Sequence, residues 1–188
     1  MNNLLTDLNA CGFGRMNNPD VTELEGGAIR FSCGPRVDMF QDTQGNLSND
    51  TAPFLYKETE GDFACTVFGE HGFTEMYDAY GILVWHDKSL FAKLCYEGTD
   101  FGTRSVVNVV TNVLSDDSNG VIMEGDGLWL RVSRVGNVFV HEYSENGMDF
   151  FLTRRYYLDI PKKIKVGVLV QSPIGKGTTA EIRFFELK

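Results

Sequence analysis

Apolar and polar residues alternate with period two along most of this chain, in runs cut by Gly, Asn, Asp and Pro. Such a run buries one side of a strand and leaves the other to a second environment; helical spacing is scarce, so the pattern predicts an all-β sandwich or barrel. Strands are expected at 28–33, 54–57, 62–70, 79–86, 90–96, 105–113, 128–135, 138–144, 150–158, 165–171 and 179–187. Gly136-Asn137 and Asn146-Gly147 supply positive-φ residues between runs, the second being the preferred two-residue hairpin pair, so their flanking strands should pair antiparallel. Only residues 6–9 read as a short helix, capped by Thr6 or Asp7. No linker, low-complexity tract or repeat interrupts the 188 residues, and one domain, 1–188, is expected.

With 43% hydrophobic and 23% charged residues, the chain suits a globular domain. A domain of this length buries roughly 70% of the surface its unfolded form exposes. A net charge of −9 argues against nucleic acid and anionic membrane surfaces as partners, which reward clustered Lys and Arg. The most basic stretch, Pro161-Lys162-Lys163-Ile164-Lys165, reads as a solvated strand start. Cys11, Cys33, Cys65 and Cys95 are too scattered for a CxxC metal or redox site or a dense disulfide framework, and read as free thiols. The first residues show neither a basic segment nor a long apolar core, so no signal peptide is expected and the cytoplasm is the expected location. Without secretion, the acceptor triplets Asn46-Leu47-Ser48 and Asn49-Asp50-Thr51 are chance matches.

The densest signal lies between Tyr77 and Glu97. If Trp85 opposes Phe91 across the break at 86–90, then Leu83 opposes Lys93 and Gly81 opposes Cys95, while Val84, Ile82 and Tyr80 meet Ala92, Leu94 and Tyr96. The even-numbered face is apolar apart from tyrosine hydroxyls and fits a core. The odd-numbered face carries Trp85, Phe91, Lys93 and Glu97. Two rings beside an ammonium and a carboxylate suit sugar recognition, since pyranose C–H faces stack on rings while hydroxyls need fixed donors and acceptors. A one-residue slip would move Lys93 and Glu97 to the other face, so the reading depends on register. A second run, 128–134, sets Trp129, Arg131 and Ser133 on one face against Leu128, Leu130 and Val132 on the other.

Catalytic patterns are missing. Glu58, Glu60 and Asp62 alternate as a glycosidase carboxyl pair can, but sit in a polar stretch that reads as solvated. His71, His86 and His141 stand in no metal-ligand motif, and GxSxG and phosphate-loop patterns are absent. The stretch 115–120, Ser-Asp-Asp-Ser-Asn-Gly, reads as an oxygen-rich loop of the kind that holds calcium, but starts with Ser where an EF-hand loop has Asp.

From Tyr77 onward the chain resembles a domain family of the concanavalin A-like lectin and glucanase superfamily, the one that includes the yeast protein known as regulation of enolase. The matching pieces are Tyr77-Asp78, Gly81-Ile82-Leu83-Val84, Phe91-Ala92-Lys93 with Glu97, Ser105-Val106-Val107, Ser115-Asp116, Trp129-Leu130-Arg131-Val132, Glu142-Tyr143-Ser144, Gly147, Arg154, Val166-Gly167 and Ser172-Pro173. The resemblance implies a jelly-roll sandwich of two antiparallel sheets, one concave, in a family whose activity is largely unassigned. Asp117 stands where that family tends to have Trp. The superfamily's glucanase strand, Glu-x-Asp-x-(x)-Glu, is absent, so glycosidase chemistry does not carry over.

The expectation is therefore a non-catalytic module, without cofactor or metal, whose concave sheet takes a carbohydrate or similar polyhydroxylated ligand. Trp85, Phe91 and Trp129 would be platforms, and Lys93, Glu97, Arg131 and Asp78 polar contacts. Two alternatives stand beside it: a cytoplasmic regulator that holds a metabolic enzyme or other protein by the same concavity or an exposed edge strand, and a glycan-processing hydrolase using Glu97 with Asp78.

Overall fold

The computed structural model describes residues 2–45 and 48–188, so Asn46 and Leu47 of the first acceptor triplet fall outside the described residues. In chain order the strands are β1 Gly14–Met16, β2 Asp20–Leu24, β3 Ala28–Cys33, β4 Met39–Gln41, β5 Ser48–Asp50, β6 Phe54–Glu60, β7 Phe63–His71 and β8 Ala79–Asp87. They continue with β9 Leu90–Gly98, β10 Arg104–Asn112, β11 Leu114–Met123, β12 Gly127–Val135, β13 Val138–Ser144, β14 Phe151–Tyr157, β15 Lys163–Gln171 and β16 Thr178–Leu187. One seven-stranded sheet runs β1-β6-β15-β8-β9-β10-β11, a second runs β14-β13-β12-β7-β16-β3-β2, and β4 with β5 forms a separate ribbon. Pairing is antiparallel, and the two large sheets make the expected concanavalin A-like jelly-roll sandwich. No helix among the described residues is long and apolar enough to cross a membrane.

The register of β8 and β9 is the one the sequence predicts: Trp85 opposes Phe91, Leu83 opposes Lys93, and Ile82 opposes Leu94. Even-numbered residues of both strands join Leu128, Leu130, Val132, Ile182 and Phe185 of the second sheet in the inter-sheet core. Tyr80 is accommodated in that core because its hydroxyl lies 2.7 and 2.8 Å from the carbonyls of Gly69 and Leu128 and accepts from the Leu128 N–H. His141 is likewise buried between the sheets, with Nδ1 3.1 Å from Asn108 Oδ1 and Nε2 2.8 Å from the Tyr156 hydroxyl. Cys65 and Cys95 are buried, Cys11 and Cys33 half-buried, and all four are unpaired.

The odd-numbered face of β8 and β9 points away from this core, and residues 38–41 and 48–52 fold over part of it. Met39 and Ala52 pack there with Leu83, Trp85, Phe91, Leu169 and Phe54, the last a residue of β6 paired with Leu169 in the same sheet, making a second apolar cluster on the outer face of the first sheet. Trp85 keeps 7% of its surface and Phe91 none, so both rings are packing elements rather than open platforms.

Three local expectations are corrected. The short helix is a 3-10 turn at Leu4–Thr6, not 6–9, because Asn3 caps it by accepting the Leu5 N–H and Leu5 is anchored in the core. Gly136-Asn137 makes the two-residue hairpin, with Val135 opposite Val138, whereas Asn146-Gly147 lies in a longer connection between β13 and β14. There Asn146 Oδ1 accepts from the Met148 and Asp149 N–H groups, and Gly147, at φ 73°, passes so close to Trp129 that a Cβ would stand 2.7 Å from its ring. The oxygen-rich stretch 115–120 is not a loop but part of edge strand β11, whose side chains are divided between two faces.

Ile82→Ala and Leu94→Ala should each cost about 2–5 kcal/mol in urea denaturation, and Trp85→Ala about 3–5 kcal/mol, as for large-to-small changes in a closed core. Surface-sized losses at Trp85 would contradict the covering of the outer face.

Candidate functional site

Beyond the part that Met39 and Ala52 cover, the outer face of the first sheet opens into a cavity of about 370 Å³. Its floor is laid by four strands of that sheet: Gln171 at the end of β15, which β8 separates from β9, Lys93 and Glu97 on β9, Val107 and Val109 on β10, Asp117 and Asn119 on β11. Cross-strand pairing aligns them, since Val109 lies opposite both Lys93 and Asp117, and Val107 opposite Asn119. Asp38, Phe40 and Asn49 border it from the ribbon, and Tyr77, Asp100, Pro173 and Ile174 from the loops.

A buried polar row spans the floor. Lys93, 2% exposed, donates from Nζ to Asp38 Oδ1 at 2.9 Å and to Gln171 Oε1 at 2.8 Å. The Gln171 amide in turn donates to Glu97 Oε2 at 3.3 Å and to the Tyr77 carbonyl at 3.4 Å. A lone ammonium would be driven toward its neutral form by burial, but the Asp38 carboxylate overcomes that and leaves the Lys93 pKa above its ordinary value. At Glu97 it is the neutral form that gains: burial raises its pKa to about 8, Lys93 opposes the rise, and Asp38, Asp117 and Asp100 add to it. Burial thus favours the neutral acid form of Glu97.

The ribbon is held over this face by the Lys93–Asp38 pair, by Met39 in the apolar cluster, and by the Gln41 N–H, which donates to Ser115 Oγ on β11 at 2.9 Å. On the opposite rim Tyr77 takes φ 66°, a left-handed backbone that bulky residues rarely adopt. Its neighbour Asp78 holds it there. Asp78 is fully buried, with Oδ2 accepting from Thr74 Oγ1 and the Glu75 N–H and Oδ1 accepting from Ser172 Oγ at 2.6 Å.

The structure brings together only part of the predicted set. Lys93 and Glu97 line the cavity. Trp85 and Phe91 share their face but lie under the ribbon segment. Asp78 has both carboxyl oxygens engaged and acts as a clasp on the rim loop, which removes it as a ligand contact and as the carboxyl partner of Glu97. Trp129 and Arg131 alternate with core residues Leu128, Leu130 and Val132, so they project from the far side of the second sheet. There Trp129 stacks on Phe68 at 4.9 Å, and Arg131 binds Glu142 at 2.7 Å while lying 3.8 Å from the Phe150 ring centroid. Sequence reasoning missed Asp38, Phe40, Asp100 and Gln171; Tyr77 is a family position, Asp117 a family position within the oxygen-rich stretch, and Asn119 belongs to that stretch alone.

Residues 15–188 match the family described as "Protein of unknown function (DUF1349)". No curated protein matches the sequence. A functionally unknown protein from Saccharomyces cerevisiae has the same fold with a TM-score of 0.88 at 23% identity, over 100% of this chain and 98% of that one. A xylan beta-1,4-xylosidase from Bacillus halodurans aligns with a TM-score of 0.67 at 12% identity, over 86% of this chain but only 33% of that one. A legume lectin-like domain from Entamoeba histolytica gives 0.61 at 8% identity, over 95% and 90% of the two chains. At these identities the likeness is one of fold.

The Glu97 shift has a sign that can be measured. Between pH 4.5 and about 8 the folded protein keeps a proton that the unfolded chain releases, so this group's stabilising contribution is complete below pH 4.5 and gone above about 8. Glu97→Gln mimics the protonated acid at every pH. Thermal melts at pH 5, 6, 7 and 8 should therefore show the variant gaining on the parent as pH rises, by roughly 2–4 °C for each kcal/mol. A gap independent of pH would show that Glu97 is ionised in the folded protein.

Proposed function

We propose that this chain, which belongs to the DUF1349 family of proteins of unknown function, is a non-catalytic binding module that takes a carbohydrate or similar polyhydroxylated ligand in the cavity over Lys93, Gln171 and Glu97. The observation that carries this reading is the buried row Asp38–Lys93–Gln171–Glu97 opening into a cavity of about 370 Å³. Such a row offers fixed acceptors and an acid proton to hydroxyl groups, and the half-exposed Tyr77 and Phe40 offer ring surface to C–H faces. The volume suits one or two sugar rings. Among structures with the same fold, one is named a legume lectin-like domain and another a xylan beta-1,4-xylosidase, which accords with a sugar ligand. No catalytic step is proposed, because Asp78 is committed to the rim loop and is not available to Glu97.

A second reading, a regulator that holds another protein, is favoured by one observation. Edge strand β11 exposes Leu114, Val121 and Ile122, at 45%, 40% and 63%, beside an unpaired backbone edge. The sequence resemblance to the regulation of enolase protein accords with it. Unpaired thiols suit a reducing compartment, and we place the protein's action in the cytoplasm, with residues 1–188 working as one domain.

Titration calorimetry against neutral mono- and oligosaccharides should show binding, weakened about tenfold or more by Gln171→Ala, which strips the hydrogen-bonding group between Lys93 and Glu97. Trp129→Ala, on the far side of the second sheet, should leave it unchanged. Absence of binding, or sensitivity at Trp129 in place of Gln171, would remove this cavity from the role.

A further inference from the structure

The charges lining the cavity are unbalanced, and recognition of a neutral polyol leaves the imbalance unused. Its one ammonium, on Lys93, is already taken by Asp38 and Gln171. Glu97, Asp100 and Asp117 line the same cavity, and among the described residues none of the three forms an ion pair. Glu97 is the telling member. It keeps only 7% of its surface, yet its carboxyl receives one bond, from Gln171 to Oε2. No fully buried side-chain polar atom among the described residues lacks a partner, so Oε1, to which no protein donor bonds, is not fully enclosed, and Glu97 lines the cavity.

A buried acid with a free oxygen, faced by Asp38 from the ribbon, Lys93 on its own strand, Asp117 from β11 and Asp100 from the loop after β9, calls for a cation from outside. A metal ion does not fit, because no three acidic, His or Cys side chains among the described residues converge to hold one. Carboxyl groups spread around a cavity of this size suit a wider cation that can reach two of them, with the Tyr77 ring alongside. Burial raises the Tyr77 pKa, and Asp100, Glu97 and Asp117 raise it further, so the three carboxyl groups act together at that ring.

We infer that the cavity selects a compact organic ammonium carried on a hydroxylated frame, as in an amino sugar, and that the ammonium sits against Glu97 Oε1. This rests on the polyol-binding reading of the same cavity and names its ligand class. The exchange is balanced: the protonated Glu97 carboxyl gives its proton to solvent, and the carboxylate left behind pairs with the ligand's ammonium. Burial favours the protonated acid in the free protein, so binding releases a proton and tightens as pH rises toward the Glu97 pKa of about 8.

The test is calorimetry on the full chain at pH 7, in buffers of low and high ionisation enthalpy, with glucosamine, glucose, N-acetylglucosamine and putrescine. Glucosamine should bind at least tenfold more tightly than glucose and N-acetylglucosamine, with proton release. Glu97→Gln should abolish the release and reduce the preference, and Asp117→Asn, on the exposed edge strand, should reduce the preference without touching the buried row. Equal binding of glucosamine and the two neutral sugars would overturn the ammonium inference and leave the polyol reading standing. Putrescine binding as tightly as glucosamine, with glucose not binding, would support the ammonium and sink the polyol frame. Failure of all four would overturn both.

Discussion

Pairing Trp85 with Phe91, and therefore Leu83 with Lys93, commits one side of β8 and β9 to the space between the sheets and the other to the outer face. Strand side chains alternate strictly, so this one alignment decides at once where Ile82, Leu94 and Tyr80 pack and where Lys93 and Glu97 point. Both consequences are costly to reverse. A slip by one residue would bury an ammonium and a carboxyl in the apolar inter-sheet core and expose the leucine and isoleucine that fill it. The core therefore holds the floor of the cavity in place, without any residue of the core touching a ligand.

The outer face is divided by what covers it. Over Trp85 and Phe91 the segment carrying Met39 and Ala52 closes the surface with apolar contacts. Over Lys93 the same segment supplies Asp38, and the buried ion pair depends on that contact because either charge alone would pay the full cost of desolvation. The ribbon is thus docked by two different forces a few residues apart. Where it ends, at Glu97, the polar row continues without a basic partner, and that discontinuity is what turns a packed face into a cavity.

How much of this is legible in the sequence follows from the same division. Register and core could be read because they rest on local alternation in two adjacent strands, and both faces of β8 and β9 carried contrasting residues. Accessibility of Trp85 and Phe91 could not, because it depends on a segment far upstream in the chain whose own pattern is too short to read as strands. Edge strand β11 was hidden for a different reason. One of its faces borders the cavity and the other is solvated, so it has no need of the alternating apolar residues by which strands are recognised, and Ser, Asp and Asn stand in their place. Trp129 and Arg131 did carry the expected alternation, but local pattern says which residues share a face, not which sheet the face belongs to.

Tyr77 shows how the fold separates holding a site from forming it. Its left-handed backbone costs energy that nothing in the tyrosine ring repays. The compensation comes from Asp78, whose carboxyl gathers Thr74, Glu75 and Ser172, and from the Tyr77 N–H and the Asp78 carbonyl, which bond Gly98 on β9. Both chain segments that Asp78 joins, the turn before β8 and the one after β15, flank the cavity on the side away from the ribbon. A carboxylate that looks in sequence like a ligand contact beside an aromatic is therefore the anchor for that aromatic. The rim ring and the floor residue Gln171, which donates to the Tyr77 carbonyl, are consequently fixed relative to each other before any ligand arrives. This preorganisation leaves Glu97, with its free oxygen, as the one buried floor carboxyl still able to change its charge to suit what enters.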